Sequence, residues 1–259
     1  MKKAIFYLLI FFPFTFTLIA QTSFWTDINE SEISGNNNRV IIPEHYRSFK
    51  IDFQSANQFL NTAPSEINNS APLKSLEVLL PMPDGTDQKF EIWESPVMAP
   101  ELQQRFPDIR TYTGRGVDDR TATLKIDITP HGFHAMILSS KGRVFIDPYF
   151  KDLTEYYISY YTGDFVKNGA STDCELMIED GKLEELQFIK DNAILTAIGP
   201  QLRTYRLCVA ATGEYTAYHG GTVALGLAAV VTSVNRVNGV YEKEVGIRMV
   251  LVANNNLVI

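Results

Sequence analysis

Residues 202–252 read LRTYRLCVAATGEYTAYHGGTVALGLAAVVTSVNRVNGVYEKEVGIRMVLV, and their pattern sets the fold of the C-terminal end. Leu202 to Ala211 is a near-continuous apolar run, as expected of a strand covered on both faces. Gly213 and Gly220-Gly221 mark a loop after it. Val223, Leu227, Val230, Val231, Val234 and Val237 then recur at spacings of three and four, which places them on one face of a helix from Thr222 to Tyr241. The hydroxyl of Thr222 is suited to cap its start. Gly246 lies beyond its end, and Ile247 to Val252 reads as a second strand. Strand, helix, strand is a βαβ unit with a parallel pair. Two parallel strands and one apolar helix leave a sheet face bare and edges unpaired. Roughly sixty residues of this kind bury too little to stand alone. The unit is therefore expected to be the incomplete start of a larger α/β domain, unless the preceding half covers it.

Upstream, residues 162–200 differ in character. Gly163, Asn168, Gly169, Ser171 and Thr172 mark a loop, Glu179 to Asp191 is charged, and Gly199-Pro200 punctuates the end. This reads as a linker with a processing region. Before it, strand signals dominate. Leu76, Val78 and Leu80 precede Pro83-Asp84-Gly85, and Phe90 and Ile92 follow, which predicts a hairpin. Thr121 to Thr129 alternates through Leu124, Ile126 and Ile128, turns at Pro130-His131-Gly132, runs back from Phe133 to Leu138, and turns again at Lys141-Gly142 into Val144-Phe145-Ile146. Such a meander predicts a mostly antiparallel sheet. A short helix is expected near Ala99 to Arg105, and residues 21–38 read as an extended lead-in. The fold class is thus α+β: a mostly antiparallel β half followed by an incomplete α/β unit.

At the N-terminus, Met1-Lys2-Lys3 precedes an apolar run from Ala4 to Ile19 that contains Pro13 and ends at Ala20-Gln21. Basic, apolar, then small is the order of a secretory signal peptide, here residues 1–20. No later stretch is as long and apolar, so no stable membrane span is expected in the mature chain. The 259 residues carry a formal charge of −7, and loss of Lys2 and Lys3 makes it −9. No basic stripe interleaved with aromatics is present, which argues against nucleic acid as a partner. With 45% hydrophobic and 12% aromatic residues, the chain can build a packed core. Cys174 and Cys208 are the only cysteines, too few for a disulfide framework, although an exported chain permits a bridge between them.

Several segments carry a family resemblance. Leu202-Arg203-Thr204-Tyr205-Arg206-Leu207 followed by Ala211-Thr212-Gly213-Glu214-Tyr215 resembles the opening strand of a reprolysin-like (metzincin) zinc metallopeptidase of the type secreted by Bacteroidetes. Val234-Asn235-Arg236-Val237-Asn238-Gly239-Val240-Tyr241-Glu242 resembles its first helix, and Gly246-Ile247-Arg248-Met249-Val250-Leu251-Val252 its second strand. Tyr112-Thr113-Gly114-Arg115-Gly116, Thr129-Pro130-His131-Gly132-Phe133-His134-Ala135-Met136 and Phe145-Ile146-Asp147-Pro148-Tyr149 resemble the prodomain of such proteins. The resemblance implies a signal peptide over 1–20, a β-rich prodomain over 21–161, a linker over 162–200 and the start of a catalytic domain over 201–259. It also implies zinc in the full-length family, held by H-E-x-x-H-x-x-G-x-x-H with the glutamate as general base. Here none of His45, His131, His134 and His219 is followed by glutamate. No catalytic or cofactor-binding residue is therefore assigned, no zinc is expected on this chain alone, and it is expected to be inactive in isolation.

Of the remaining candidates, Cys174 is the one possible zinc ligand. It stands in the linker, where related prodomains place a thiolate over the metal. Its neighbours Asp173 and Glu175 raise a thiol pKa, which opposes that role. Cys208 within the first strand reads as a small buried hydrophobe. His131 and His134 flank a turn, where a spacing of three does not bring imidazoles together as it does on a helix. His45 and His219 read as ordinary surface or packing residues. Asp118-Asp119 and Glu184-Glu185 read as solvated turns.

Two functions are expected from these residues. The leading one is the N-terminal portion of a secreted zinc metalloendopeptidase precursor, extracellular or periplasmic, whose partners are the remainder of its catalytic domain, or a peptidase, and protein substrates. The alternative is a non-catalytic secreted prodomain-like binder that inhibits or chaperones a peptidase. N-terminal sequencing of the exported protein checks the signal: a start at Gln21 is expected, and retention of Met1 contradicts it.

Overall fold

The computed structural model describes residues 24–34, 39–67, 75–151, 153–165 and 201–259. The signal segment, Cys174 and nearly all of the linker lie outside them. The described chain is mixed α+β and mostly β. It has a nine-stranded antiparallel sheet, a two-stranded parallel sheet and four α-helices.

The large sheet contains β1 (Trp25–Asp27), β2 (Arg47–Ile51), β3 (Leu76–Pro81), β4 (Asp87–Glu94), β5 (Arg110–Gly116), β6 (Thr123–Thr129), β7 (Gly132–Ser139), β8 (Gly142–Phe150) and β9 (Leu153–Tyr161). Their spatial order is β1-β2-β9-β8-β7-β6-β5-β4-β3. The expected hairpin is β3–β4, and the expected meander is β6–β7–β8. Twist curls the sheet until its edges meet. Trp25 on β1 donates its indole N–H to the carbonyl of Leu79 on β3 at 3.0 Å. Arg47 on β2 reaches the Thr86 carbonyl and Asp87, each at 2.8 Å. This near-barrel hides its edge strands and encloses a core of Phe49, Leu80, Phe90, Leu124, Ile126, Phe133 and Tyr157.

The N-terminal lead-in is not merely extended, because β1 joins the sheet beside β2. Helix α1 (Phe53–Leu60), which the sequence reading missed, starts on an Asp52 side chain that accepts from the Ser55 N–H and buries Ala56 and Leu60. The short helix expected near Ala99 is α2 (Pro100–Arg105), with proline in its first turn.

The C-terminal unit contains β10 (Arg203–Leu207), α3 (Gly213–Tyr218), α4 (Val223–Glu244) and β11 (Ile247–Leu251). Thr222 caps α4 by accepting from the Leu225 N–H, and β10 pairs with β11 in parallel. Two expectations fail here. The stretch around Gly213 read as a loop, but it holds α3, started by Thr212. The first strand is not covered on both faces. Residues 203–206 are exposed, and so is Cys208, because nothing among the described residues lies on that side of β10.

Helix α4 lies on the outer face of the barrel, against β6 and β7, and its other side packs against β11. By length and composition α4 could cross a bilayer, but more than half of it is buried inside this fold. Gly239 permits the approach to the sheet. A Cβ there would sit 2.3 Å from Met136 Cε and 3.0 Å from Lys125 Cγ. Gly239→Val is expected to push α4 off the sheet and cost about 1–3 kcal/mol by overpacking. Urea denaturation of the intact chain checks this, with a lower midpoint expected.

Candidate functional site

In β6 the side chains of Leu124, Ile126 and Ile128 point into the barrel, so Lys125, Asp127 and Thr129 point outward. On an ordinary sheet that row faces water. Here α4 covers it, and Lys125, Asp127 and Thr129 are all buried, at 5%, 1% and 2% exposure. Charges taken out of water must be paired and hydrogen-bonded. Lys125 and Asp127 take partners from α4 as well as from neighbouring strands, which makes this row a polar seam between the two parts of the chain.

The seam has three clusters. At one end Lys125 Nζ lies 2.8 Å from Glu242 Oε2 and 2.8 Å from Thr113 Oγ1. The other oxygen of Glu242 accepts from Arg248 Nε at 2.6 Å, and Arg248 also pairs with Glu66 in the loop after α1. Burial alone would raise the Glu242 carboxyl, but Arg248 and Lys125 overcome it and hold it below the ordinary value. In the middle, Asp127 Oδ2 accepts from Thr232 Oγ1 at 2.7 Å and from His134 Nδ1 at 2.9 Å. An ionised carboxylate only accepts, so the proton of His134 sits on Nδ1. Asn235 donates to the Ile126 carbonyl at 2.9 Å. At the far end Asp147, 2% exposed, pairs with Arg236 and accepts from Tyr160 Oη at 2.8 Å. The guanidinium of Arg236 also lies 4.8 Å over the Phe145 ring.

Beside this far end opens a cleft of about 320 Å³, lined by His131, His134, Lys151, Tyr215, His219 and Arg236 among others. The structure therefore gathers three of the four histidines. His131 Nε2 lies 2.9 Å from the Leu225 carbonyl, and its ring is 5.6 Å from that of His219. His134 is turned toward Asp127, so His131 and His134 do not act as a pair, as the turn between them implied. His45 is exposed and lies 3.3 Å from Asp164. Asp119 organises a turn by accepting from the Thr121 N–H, and Asp118 accepts from the Lys89 N–H on β4. Cys174 and Glu184-Glu185 fall outside the described residues. Among the described residues no three His, Cys, Asp or Glu side chains converge as a metal centre requires. These residues do not fit zinc, and no metal-dependent step is derived from them.

A second junction is made by backbone. Between β4 and α2, residues 97–99 run parallel to β11. Leu251 N–H donates to the Val97 carbonyl at 2.8 Å, and Ala99 N–H donates to the Leu251 carbonyl at 2.9 Å. Val97, Met98, Leu102 and Ile109 then share one core with Leu227, Val230, Val231, Val234 and Leu251. The small parallel sheet thus gains a third strand segment from the N-terminal part.

The arrangement is chemically a clamp. It holds the helix and one strand edge of the C-terminal unit through buried ion pairs and main-chain hydrogen bonds. The sequence reading missed Lys125, Asp127, Asp147, Glu242 and Arg248, because charge alternating with apolar residues is also the pattern of a solvated strand face. Glu242→Gln removes one partner of a buried pair, a change that typically costs about 3–5 kcal/mol. The low end is expected, since Lys125 keeps Thr113. The lowered carboxyl of Glu242 stabilises the fold fully above its ordinary value near 4.5 and loses that contribution as the pH falls through the folded value. Urea midpoints measured from neutral pH downward are expected to show this acid loss in the native chain and less of it in Glu242→Gln.

Comparison with curated proteins finds no match. Residues 201–259 match the family model Reprolysin_4, described as Metallo-peptidase family M12B Reprolysin-like. The C-terminal unit, from β10 onward, is thus similar to a reprolysin-like metallopeptidase.

Proposed function

We propose that this chain is the N-terminal portion of a secreted zinc metalloendopeptidase precursor, in which the near-barrel is the prodomain and the C-terminal unit begins the catalytic domain. The single observation that carries the reading is the strand segment at residues 97–99 beside β11, because it ties the near-barrel into the sheet of the reprolysin-like unit. A folding partner is expected to do this: it satisfies the backbone groups of an edge and covers apolar side chains. The polar seam on α4 adds specificity, since another surface would leave the buried Lys125 without the Glu242 carboxylate and the buried Asp127 without the Thr232 hydroxyl.

In this reading the clamp holds the unit in register before the rest of its domain is in place. An apolar groove of about 620 Å³, lined by Leu207, Val209, Val230, Val237, Tyr241 and Met249 among others, stays open on the side of α4 next to β10. The remainder of the catalytic domain covers it, and cleavage in the linker, with Cys174 nearby, frees the enzyme. In this reading zinc and the hydrolytic residues belong to that remainder, with the H-E-x-x-H pattern that the family resemblance implies. The export signal over residues 1–20 is part of the same proposal.

The coding sequence beyond codon 259 tests it. An in-frame continuation that contains H-E-x-x-H is expected. A stop codon followed by unrelated sequence overturns the precursor reading and leaves a secreted binder that inhibits or chaperones a peptidase in trans, which the same clamp could also perform.

A further inference from the structure

We propose that His131 and His219 form an acid-sensitive latch, which holds the C-terminal unit on the near-barrel when both imidazoles are neutral and loosens it when both are protonated. The latch goes beyond the precursor reading and concerns this chain's own contacts. His131 stands in the turn between β6 and β7, and its Nε2 donates to the Leu225 carbonyl in the first turn of α4. A carbonyl only accepts, so the neutral ring carries its proton on Nε2. His219 ends α3, and its ring packs 5.6 Å from that of His131, 4.6 Å from Tyr215 and 5.0 Å from Tyr218. The two imidazoles thus meet face to edge across the junction, one from each part of the chain.

The cations around them make double protonation unfavourable. From the end of β8, Lys151 donates to the Tyr218 carbonyl, and its ammonium lies 3.4 Å from the centre of the Tyr218 ring. From α4, Arg236 faces the same cleft. The two carboxylates nearby are already engaged: Asp147 by Arg236 and Tyr160, and Asp127 by His134 and Thr232. His134 is thus turned to Asp127, whereas His131 and His219 have beside them the Leu225 carbonyl, the cations Lys151 and Arg236, aromatic rings and each other. Like charges at this separation, partly shielded from water, repel.

Burial first, then His131 and Lys151, hold the His219 imidazole below the ordinary value of 6.5. The sign follows by linkage. A base whose folded pKa is depressed contributes fully above its unfolded value, and that contribution is lost as the pH falls through the folded one. Mild acid therefore opens the junction at this end.

The test compares urea midpoints of the native chain and of His219→Gln at about pH 7.5 and about pH 5.5, either side of the ordinary histidine value. The native chain is expected to lose midpoint over this interval, and His219→Gln is expected to lose clearly less. Equal losses in the two proteins overturn the latch. Should the variant fail to fold, imidazole titration of the native chain by NMR decides. Coupled titration of His131 and His219, with His219 below its ordinary value, upholds the latch. Independent titration of both rings at ordinary values overturns it.

Discussion

A lysine and an aspartate on the outside of a β-barrel, both out of reach of water, constrain the rest of this molecule. Lys125 and Asp127 sit on alternate outward positions of β6, and α4 lies over them. Removing such charges from water costs several kcal/mol each unless partners replace the solvent. The partners are supplied by Glu242, Thr232 and Asn235 on α4, with Arg248 on β11 as a further link. The sequence of the helix is therefore tied to the sequence of the strand. Gly239 completes the fit by letting the two backbones come close.

The seam explains why α4 has two different working faces. Leu227, Val230, Val231 and Val234 meet the apolar surface provided by Val97, Met98, Leu102 and Leu251. Thr232, Asn235, Arg236 and Glu242 meet the polar row of the sheet. A helix with an apolar stripe alone could slide or rotate on a greasy surface at little cost. Ion pairs and side-chain hydrogen bonds to fixed backbone carbonyls set one rotation and one height. The strand segment at 97–99 sets the direction as well, because a main-chain pairing beside β11 has a register.

Much of the architecture was legible in the sequence. Alternation in Leu124, Ile126 and Ile128 with tight turns at Gly132 and Gly142 announced the meander, and the three–four spacing from Val223 with Thr222 before it announced α4 and its cap. The parallel pairing of β10 and β11 followed from the strand–helix–strand order. Local pattern could not tell which polar positions were buried. Lys125 and Asp127 have the alternation of a wet strand face, and only the tertiary placement of α4 dries them. The opposite error occurred at Cys208 and the first strand, where an apolar run read as buried but one side of β10 is open. Residues 53–60 form α1 because Asp52 caps them and the barrel mouth takes Leu60, a signal too short to stand out from neighbouring strands. The gathering of His131 and His219 joins residues far apart in the chain and left no local mark.

If the seam fixes α4 to the near-barrel, the two cannot open separately. Native-state hydrogen exchange on the intact chain tests this directly. The account predicts that the slowest amides of α4 and those of β6 and β7 exchange through one common opening and respond alike to denaturant. Amides of α4 that exchange through a much smaller opening, while β6 and β7 stay protected, would contradict it.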